Sequence, residues 1–335
     1  GGVIVAGRRR KKSGGRSYAW RYRGRIVACV FVEILIICAL VIMIGWNKGV
    51  KEWFEQFEQP VLKEVDISGI NSPNAILMQA RGGKILGEIN GEAQIYPASM
   101  TKIMTVILGI ENFDDLDEKI TLTNEMFSGL YEQDATQAGF QPGEEVRVID
   151  LLYGAMLPSG AECCIALADT ISGSEADFAE LMNKKARKLG MENTHFCDST
   201  GLHNPDHYST VKDIAVLMKY CIKNDTFREI VETSRHSTGV TNIHPDGITY
   251  YSTMFKNLSD PTVTGGKILG GKTGYTSEAG HCLVSFAEIE GREYIFVSAG
   301  ASGADGNTIP HIQDAVTVYN RVGAAIEEKM NDNNK

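Results

Sequence analysis

The sequence predicts a mixed α/β fold of the α+β kind. One mostly antiparallel sheet is built from both ends of the chain beyond residue 66, flanked by helices, with a helical lobe inserted between the two sets of strands. Three observations predict it. Extended apolar segments occur near residue 80 and return after residue 267, and the stretch between them has helical spacing. Arg81-Gly82-Gly83 and Gly291-Arg292 sit where tight turns join neighbouring strands. With 43% hydrophobic and 22% charged residues in 335, the chain has the composition of a packed domain rather than of a disordered one.

The N-terminal part stands apart from that domain. Residues 1–25 carry nine basic side chains and no acid, leaving 24 basic against 42 acidic residues in the rest, a net −18. A basic tail by itself suggests nucleic acid, but residues 26–46 are an apolar run broken only by Glu33, long enough to span a bilayer core of roughly 30 Å as a helix. Positive charge on one flank only predicts a cytoplasmic N-terminus and an exported remainder, in a single-pass membrane protein that binds no nucleic acid. A cleaved signal peptide is the competing reading. The run is longer than a usual signal core, no small-x-small site follows it, and Ile26-Val27-Ala28-Cys29 precedes the apolar core where a lipoprotein box would follow it. Residues 47–66, polar and mixed before and after Pro60, read as a stalk, and 67–330 as the folded domain.

Within the domain, Asn74–Ala80 and Lys84–Glu88 read as a hairpin about Arg81-Gly82-Gly83. Pro97 ends the extended chain, and Thr101 to Leu108 reads as an apolar helix. Val148–Leu157 and the run from Cys163 to Ala168 are helices separated by Pro158-Ser159-Gly160. Ser174–Leu189 has helical spacing and stops at Gly190, and Thr210-Val211-Lys212-Asp213 resembles a capping box opening a helix to about Ile222. Strands are expected over Lys267–Tyr275, His281–Glu290 and Glu293–Ala301, and a closing helix over about His311–Lys329. Cys29 and Cys38 fall in the apolar run. Cys163, Cys164, Cys197, Cys221 and Cys282 form no C-x-x-C pair, so a zinc or disulfide framework is not expected and they read as small core residues.

Three short stretches carry chemistry. Ser99 lies at or near a helix N-terminus with Lys102 one turn on, so hydroxyl and amine share a face. Backbone N–H groups there favour developing negative charge, and a neutral amine one turn away can take the hydroxyl proton. Ser159 sits in the link between two buried helices, and Lys272-Thr273-Gly274 lies on a late strand, where glycine permits close backbone approach. Each is weak evidence alone, since an N-cap serine, a loop serine and a solvated strand lysine are common. His203 and His207 are spaced as metal ligands can be, but Pro205 between them argues for loop histidines; no metal or other cofactor is expected.

Taken in order, S-x-x-K, Ser159-Gly160-Ala161 and K-T-G resemble the active-site serine penicillin-recognising enzymes. Pro97-Ala98-Ser99-Met100-Thr101-Lys102, Leu157-Pro158-Ser159-Gly160, Asn193-Thr194-His195-Phe196, Ser199-Thr200-Gly201-Leu202, His207-Tyr208-Ser209-Thr210 and Lys272-Thr273-Gly274-Tyr275-Thr276 narrow the resemblance to the serine D-alanyl-D-alanine carboxypeptidases, the low-molecular-mass penicillin-binding proteins. It covers about residues 70–320 and implies the DD-peptidase/β-lactamase fold, peptidoglycan stem peptides as substrate and β-lactams as inhibitors. It implies Ser99 as nucleophile, Lys102 as general base and Ser159 as proton relay. Lys272 and Thr273 would hold the substrate carboxylate, with Gly274 beside them, and the backbone N–H groups of Ser99 and Tyr275 would form the oxyanion hole. Two lysines converging on one pocket would disfavour each other's charge and leave Lys102 able to act. The family usually has Asn where this chain has Ala161, and that role is carried to no residue. Ser252–Phe255 lies where relatives are Asn-rich. A β-lactamase of the same fold is the enzyme rival, but no E-x-x-L-N loop is present; a non-catalytic wall-binding relative is the rival that Ala161 favours.

Overall fold

In a computed structural model of the chain, residues 62–258, 260–303 and 309–333 are described, together with Ile34. The expected tail and apolar span fall outside these residues except for Ile34. Among the described residues, no helix is long and apolar enough to cross a membrane. Contacts divide the chain into Gly1–Gln59 and Pro60–Lys335, and the second unit holds the fold.

That unit is organised on a six-stranded antiparallel sheet. Its strands are β1 (Asn74–Gln79), β2 (Ile85–Ile89), β7 (Thr262–Val263), β8 (Gly266–Thr276), β9 (Gly280–Ile289) and β10 (Arg292–Ala301), in the order β2-β1-β10-β9-β8-β7. The first long strand therefore pairs with the last, Asn74 opposite Ala299. Two further pairs, β3 (Lys119–Thr121) with β4 (Glu145–Arg147) and β5 (Arg235–Ser237) with β6 (Thr249–Tyr251), lie in the middle of the chain. The helices are α1 (Lys102–Asn112), α2 (Val148–Met156), α3 (Ala161–Ser172), α4 (Glu175–Leu189), α5 (Val211–Cys221), α6 (Asp225–Glu232), α7 (Thr253–Asn257) and α8 (Pro310–Asn333).

The period of two along the strands builds two cores. Ile76, Met78, Val284, Phe286, Ile295 and Val297 face the inserted lobe, packing with Ile103 and Ile107 of α1 and Ile214 and Met218 of α5. Ala75, Leu77, Leu283, Ala287, Tyr294 and Phe296 face the opposite way, against Val318, Tyr319 and Val322 of α8. α1 is buried from Lys102 through Gly109, which accounts for its lack of a polar face. A Cβ on Gly109 would stand 2.7 Å from a Leu152 methyl, so α1 and α2 approach closely only because that residue is glycine.

Local signals explain most boundaries. Ser174 caps α4 by accepting from Asp177 N at 3.1 Å, and Gly190 closes it at φ +79°. Thr210 caps α5, accepting from Asp213 N at 3.0 Å. The expected reciprocal box is not made: Asp213 Oδ2 instead accepts from Asn193 N and Thr194 Oγ1, tying the preceding loop to the helix. The stalk expected to reach residue 66 gives way earlier, since Leu62 and Val65 are buried in the second core and Val65 N donates to Leu86 O. Cys163, Cys164, Cys221 and Cys282 are buried free thiols and Cys197 is half-buried.

Candidate active site

Ser99 lies in a short 3₁₀ turn, Ala98–Thr101, immediately ahead of α1. The helix expected from Thr101 begins one residue later, at Lys102, and the tighter turn ahead of it follows from Pro97 and from Ala98 at φ +47°. Lys102 opens α1 and is 3% exposed, and its Nζ donates to Ser99 Oγ at 3.1 Å and to Thr200 O at 2.6 Å. The i, i+3 spacing delivers the shared face that the sequence implies.

Ser159 occupies the link between α2 and α3 at φ +74°, a left-handed conformation that costs a non-glycine residue on the order of 1 kcal/mol. Its neighbour Gly160 packs against Ala138 so closely that a Cβ would stand 2.7 Å from the alanine methyl. Lys272 on β8 is 1% exposed and donates to Ser159 Oγ at 3.0 Å and to Thr273 O at 2.8 Å. Thr273 Oγ1 lies 2.7 Å from Thr253 Oγ1, a hydroxyl pair between β8 and α7. Gly274 is where β8 meets the serine turn: a Cβ there would stand 3.0 Å from Ser99 N and 3.2 Å from Pro97 O. Tyr275 follows, with its ring exposed to solvent.

The two amines sit in an unusual environment for cations. Burial lowers the Lys102 pKa, with the Asp198 charge acting the other way. Burial lowers Lys272 well below the ordinary lysine range, and the charge on Lys102 lowers it further. Desolvation is therefore the first cause of both shifts; the repulsion expected to keep Lys102 neutral acts on Lys272 and is not among the causes that lower Lys102. Cys164, whose thiol donates weakly to Gly160 O, is pushed up to about 12 by burial and stays protonated.

Ala161 is buried, and its N–H donates to Thr136 O. Glu162 beside it does not turn toward the lysines. Its Oε1 accepts from Ala138 N and Gly139 N at 2.6 and 2.9 Å, and burial raises its pKa. The histidines separate. His203 meets the edge of Tyr96 and lies 3.9 Å from Glu278, whereas His207 is buried against Asp198 and Thr101. Among the described residues, no group of three His, Cys, Asp or Glu side chains is placed to hold a metal ion.

Sequence reasoning did not single out Thr200, Asp198, Thr253 or a role for His207. Thr200 contributes a backbone carbonyl, which leaves no side-chain signature. The Ser199-Thr200-Gly201 and His207-Tyr208 matches were the only available signal for that loop.

A hydroxyl hydrogen-bonded to a buried amine, a second hydroxyl–amine pair, and a glycine-bearing strand against the Ser99 N–H are the groups that acyl transfer through a serine calls for, with a lysine where a histidine often stands. A family profile described as D-alanyl-D-alanine carboxypeptidase matches residues 61–303, and the chain belongs to that family. It is 35% identical over 231 residues to D-alanyl-D-alanine carboxypeptidase DacF of Bacillus subtilis, covering 68% of this chain and 57% of that protein. It is 33% identical over 262 residues to DacC of Escherichia coli, covering 71% and 58% respectively. The chain therefore spans somewhat over half the length of these two relatives. The crystal structure of the Streptomyces K15 DD-transpeptidase matches with a TM-score of 0.68 at 29% identity, covering 78% of this chain and all of that one. The mixed fold with an antiparallel sheet is the penicillin-binding fold of those structures.

Proposed function

We propose that the chain is a serine D-alanyl-D-alanine carboxypeptidase that removes the terminal D-alanine from peptidoglycan stem peptides and is acylated by β-lactams. The observation that carries this reading is the 3.1 Å contact between Ser99 Oγ and Lys102 Nζ, set beside the 3.0 Å contact between Ser159 Oγ and Lys272 Nζ.

In this reading Ser99 Oγ forms a bond to the carbonyl carbon of the D-Ala-D-Ala peptide link, and its proton passes to the neutral Lys102 amine. The negative oxygen of the tetrahedral species lies between the backbone N–H groups of Ser99 and Tyr275. As the C–N bond breaks, Ser159 gives its proton to the departing D-alanine nitrogen and is reprotonated by Lys102, which becomes neutral again. Water then attacks the ester carbon as Lys102 takes one of its protons, and Lys102 passes that proton to Ser99 Oγ as the acyl C–O bond breaks, releasing the shortened peptide as its carboxylic acid. The Thr273 hydroxyl meets the substrate carboxylate directly. Lys272 is almost wholly buried, so its charge acts behind Thr273 and through Ser159. A carboxylate arriving there favours the proton on Lys272, and that charge keeps Lys102 neutral. A β-lactam is opened by the same attack, but its amine stays tethered and obstructs the incoming water. We read residues 26–46 as a single-pass anchor, residues 1–25 as cytoplasmic and the enzyme as lying outside the cell membrane.

The test is to incubate the chain with fluorescent penicillin and, separately, with a D-Ala-D-Ala peptide. Covalent labelling together with D-alanine release is expected, and Ser99→Ala should abolish both while the thermal transition stays in place. Labelling that persists in Ser99→Ala would remove Ser99 from its role. The methyl of Ala161 favours one other reading, a wall-binding relative without turnover; it predicts neither label nor D-alanine release. Rapid penicillin hydrolysis would indicate a β-lactamase.

A further inference from the structure

Lys102 is held at both ends, and both holds lead to the same carboxylate. At its tip, Nζ donates to Thr200 O at 2.6 Å. That carbonyl belongs to a turn closed by Asp198, whose Oδ1 accepts from Thr200 N and Thr200 Oγ1 at 2.7 Å and from Gly201 N at 2.6 Å. Gly201 sits at φ +80°, and any Cβ there would run into the Ala98 carbonyl, so the turn abuts the serine turn backbone to backbone. At its base, Lys102 follows Thr101, which is fully buried, and Thr101 Oγ1 lies 2.9 Å from His207 Nε2. His207 Nδ1 lies 3.0 Å from the second oxygen of Asp198.

Asp198 is half-buried, and bonds from His207 and Thr200 outweigh its partial desolvation and hold its pKa at about 2, so it is ionised and only accepts. His207 Nδ1 lies between the Asp198 carboxylate and the Cys197 N–H, which donates to it at 3.2 Å, while Nε2 meets the Thr101 hydroxyl, so the ring is held on both edges. Phe196 packs edge-on against the ring and keeps water from it. A neutral lysine amine has two N–H bonds and one lone pair. With one N–H committed to Thr200 O, rotation about Cε–Nζ is confined to orientations that present to Ser99 Oγ either the second N–H, as in the 3.1 Å contact, or the lone pair, rather than sweeping a full cone.

We propose that Asp198 is the positioning residue for the Lys102 amine, acting through the Thr200 turn at its tip and through His207 and Thr101 at its base. This rests on the reading of Lys102 as the base that activates Ser99. Asp198 touches neither substrate nor Ser99. It sets the direction of the lone pair and so controls the rate of acylation rather than the affinity for the acylating ligand.

The test follows acylation of the full chain by fluorescent penicillin as a function of time and concentration, separating the limiting rate from the half-saturating concentration. Asp198→Ala is expected to lower the limiting rate about 10- to 100-fold, the scale of a reacting group misplaced by about 1 Å, with half-saturation within about threefold of wild type. Thr101→Val, which keeps shape and loses the hydroxyl, should slow acylation in the same way, and Thr101→Ser should restore it to within about twofold. The proposal is overturned by a wild-type limiting rate in Asp198→Ala, by a loss confined to half-saturation, or by Thr101→Ser as slow as Thr101→Val. If Asp198→Ala does not fold, the Thr101 pair decides. If the wild type takes no label, the base assignment itself fails and this inference with it; if the wild type is labelled and Asp198→Ala keeps pace, only the positioning role is lost.

Discussion

Lys102 and Lys272 have almost no contact with water, and each has a hydroxyl and a carbonyl as hydrogen-bond partners. A base must be neutral to accept a proton, and a group is neutral above its pKa. Since burial lowers the Lys102 pKa, acylation of Ser99 should rise with pH and level off below about 10.4, where free lysine titrates. A rate–pH profile of penicillin labelling measures this, and a limb coinciding with free lysine would exclude Lys102 as the base. The Ser99–Lys102 pair was legible in the sequence because one helical turn separates two chemically matched residues. Glu162 was not: its proximity to Ala161 in sequence invites a compensating role, but successive helical residues point about 100° apart, and its Oε1 accepts from Ala138 N and Gly139 N. Nor could any pattern reveal that the Thr200 carbonyl, 98 residues from Lys102, is its shortest partner.

Among the elements, the long strands were legible because ten or so residues of alternation cannot be mistaken for a helix, and β8, β9 and β10 begin and end within a residue or two of their expected limits. The pairs β3–β4 and β5–β6 are three residues a side, too short for alternation to register. α6 was passed over although Asn224 caps it, accepting from Phe227 N at 2.9 Å, because eight residues hold barely two turns of pattern. β8 does more than pair. Its glycine at 274 sets how near the strand comes to Ser99, so Gly274→Ala should force the strand back by a few tenths of an ångström. Labelling by penicillin is expected to slow about 10-fold or more while the melting temperature falls only by about a few degrees. Unchanged labelling would show that the strand's approach to Ser99 has no part in the reaction.

At the scale of the molecule, the sheet separates a lobe-facing core that carries the site from a second core closed by α8. Tyr319 belongs to the second: its hydroxyl accepts from Phe296 N and lies 3.1 Å from Ser285 Oγ, all buried. Tyr319→Phe should cost about 1–2 kcal/mol in urea unfolding, the scale of a buried hydrogen bond left unmade, and leave penicillin labelling at the wild-type rate. A parallel loss of labelling would show that the two sides of the sheet are coupled. The two-ended sheet was foreseeable from strands at both ends of the domain, whereas the pairing of β1 with β10 across 225 residues was not, because register is decided by packing and not by spacing.

That pairing also fixes an order of assembly. A polypeptide delivered N-terminus first brings out Ser99 long before β8, and β1 has no inner neighbour until β10 arrives. Until then the serine has its amine but neither the second lysine nor the strand that flanks it. The β8 side of the site arrives only with the last third of the chain, so a nascent polypeptide halted before that point should take no penicillin label.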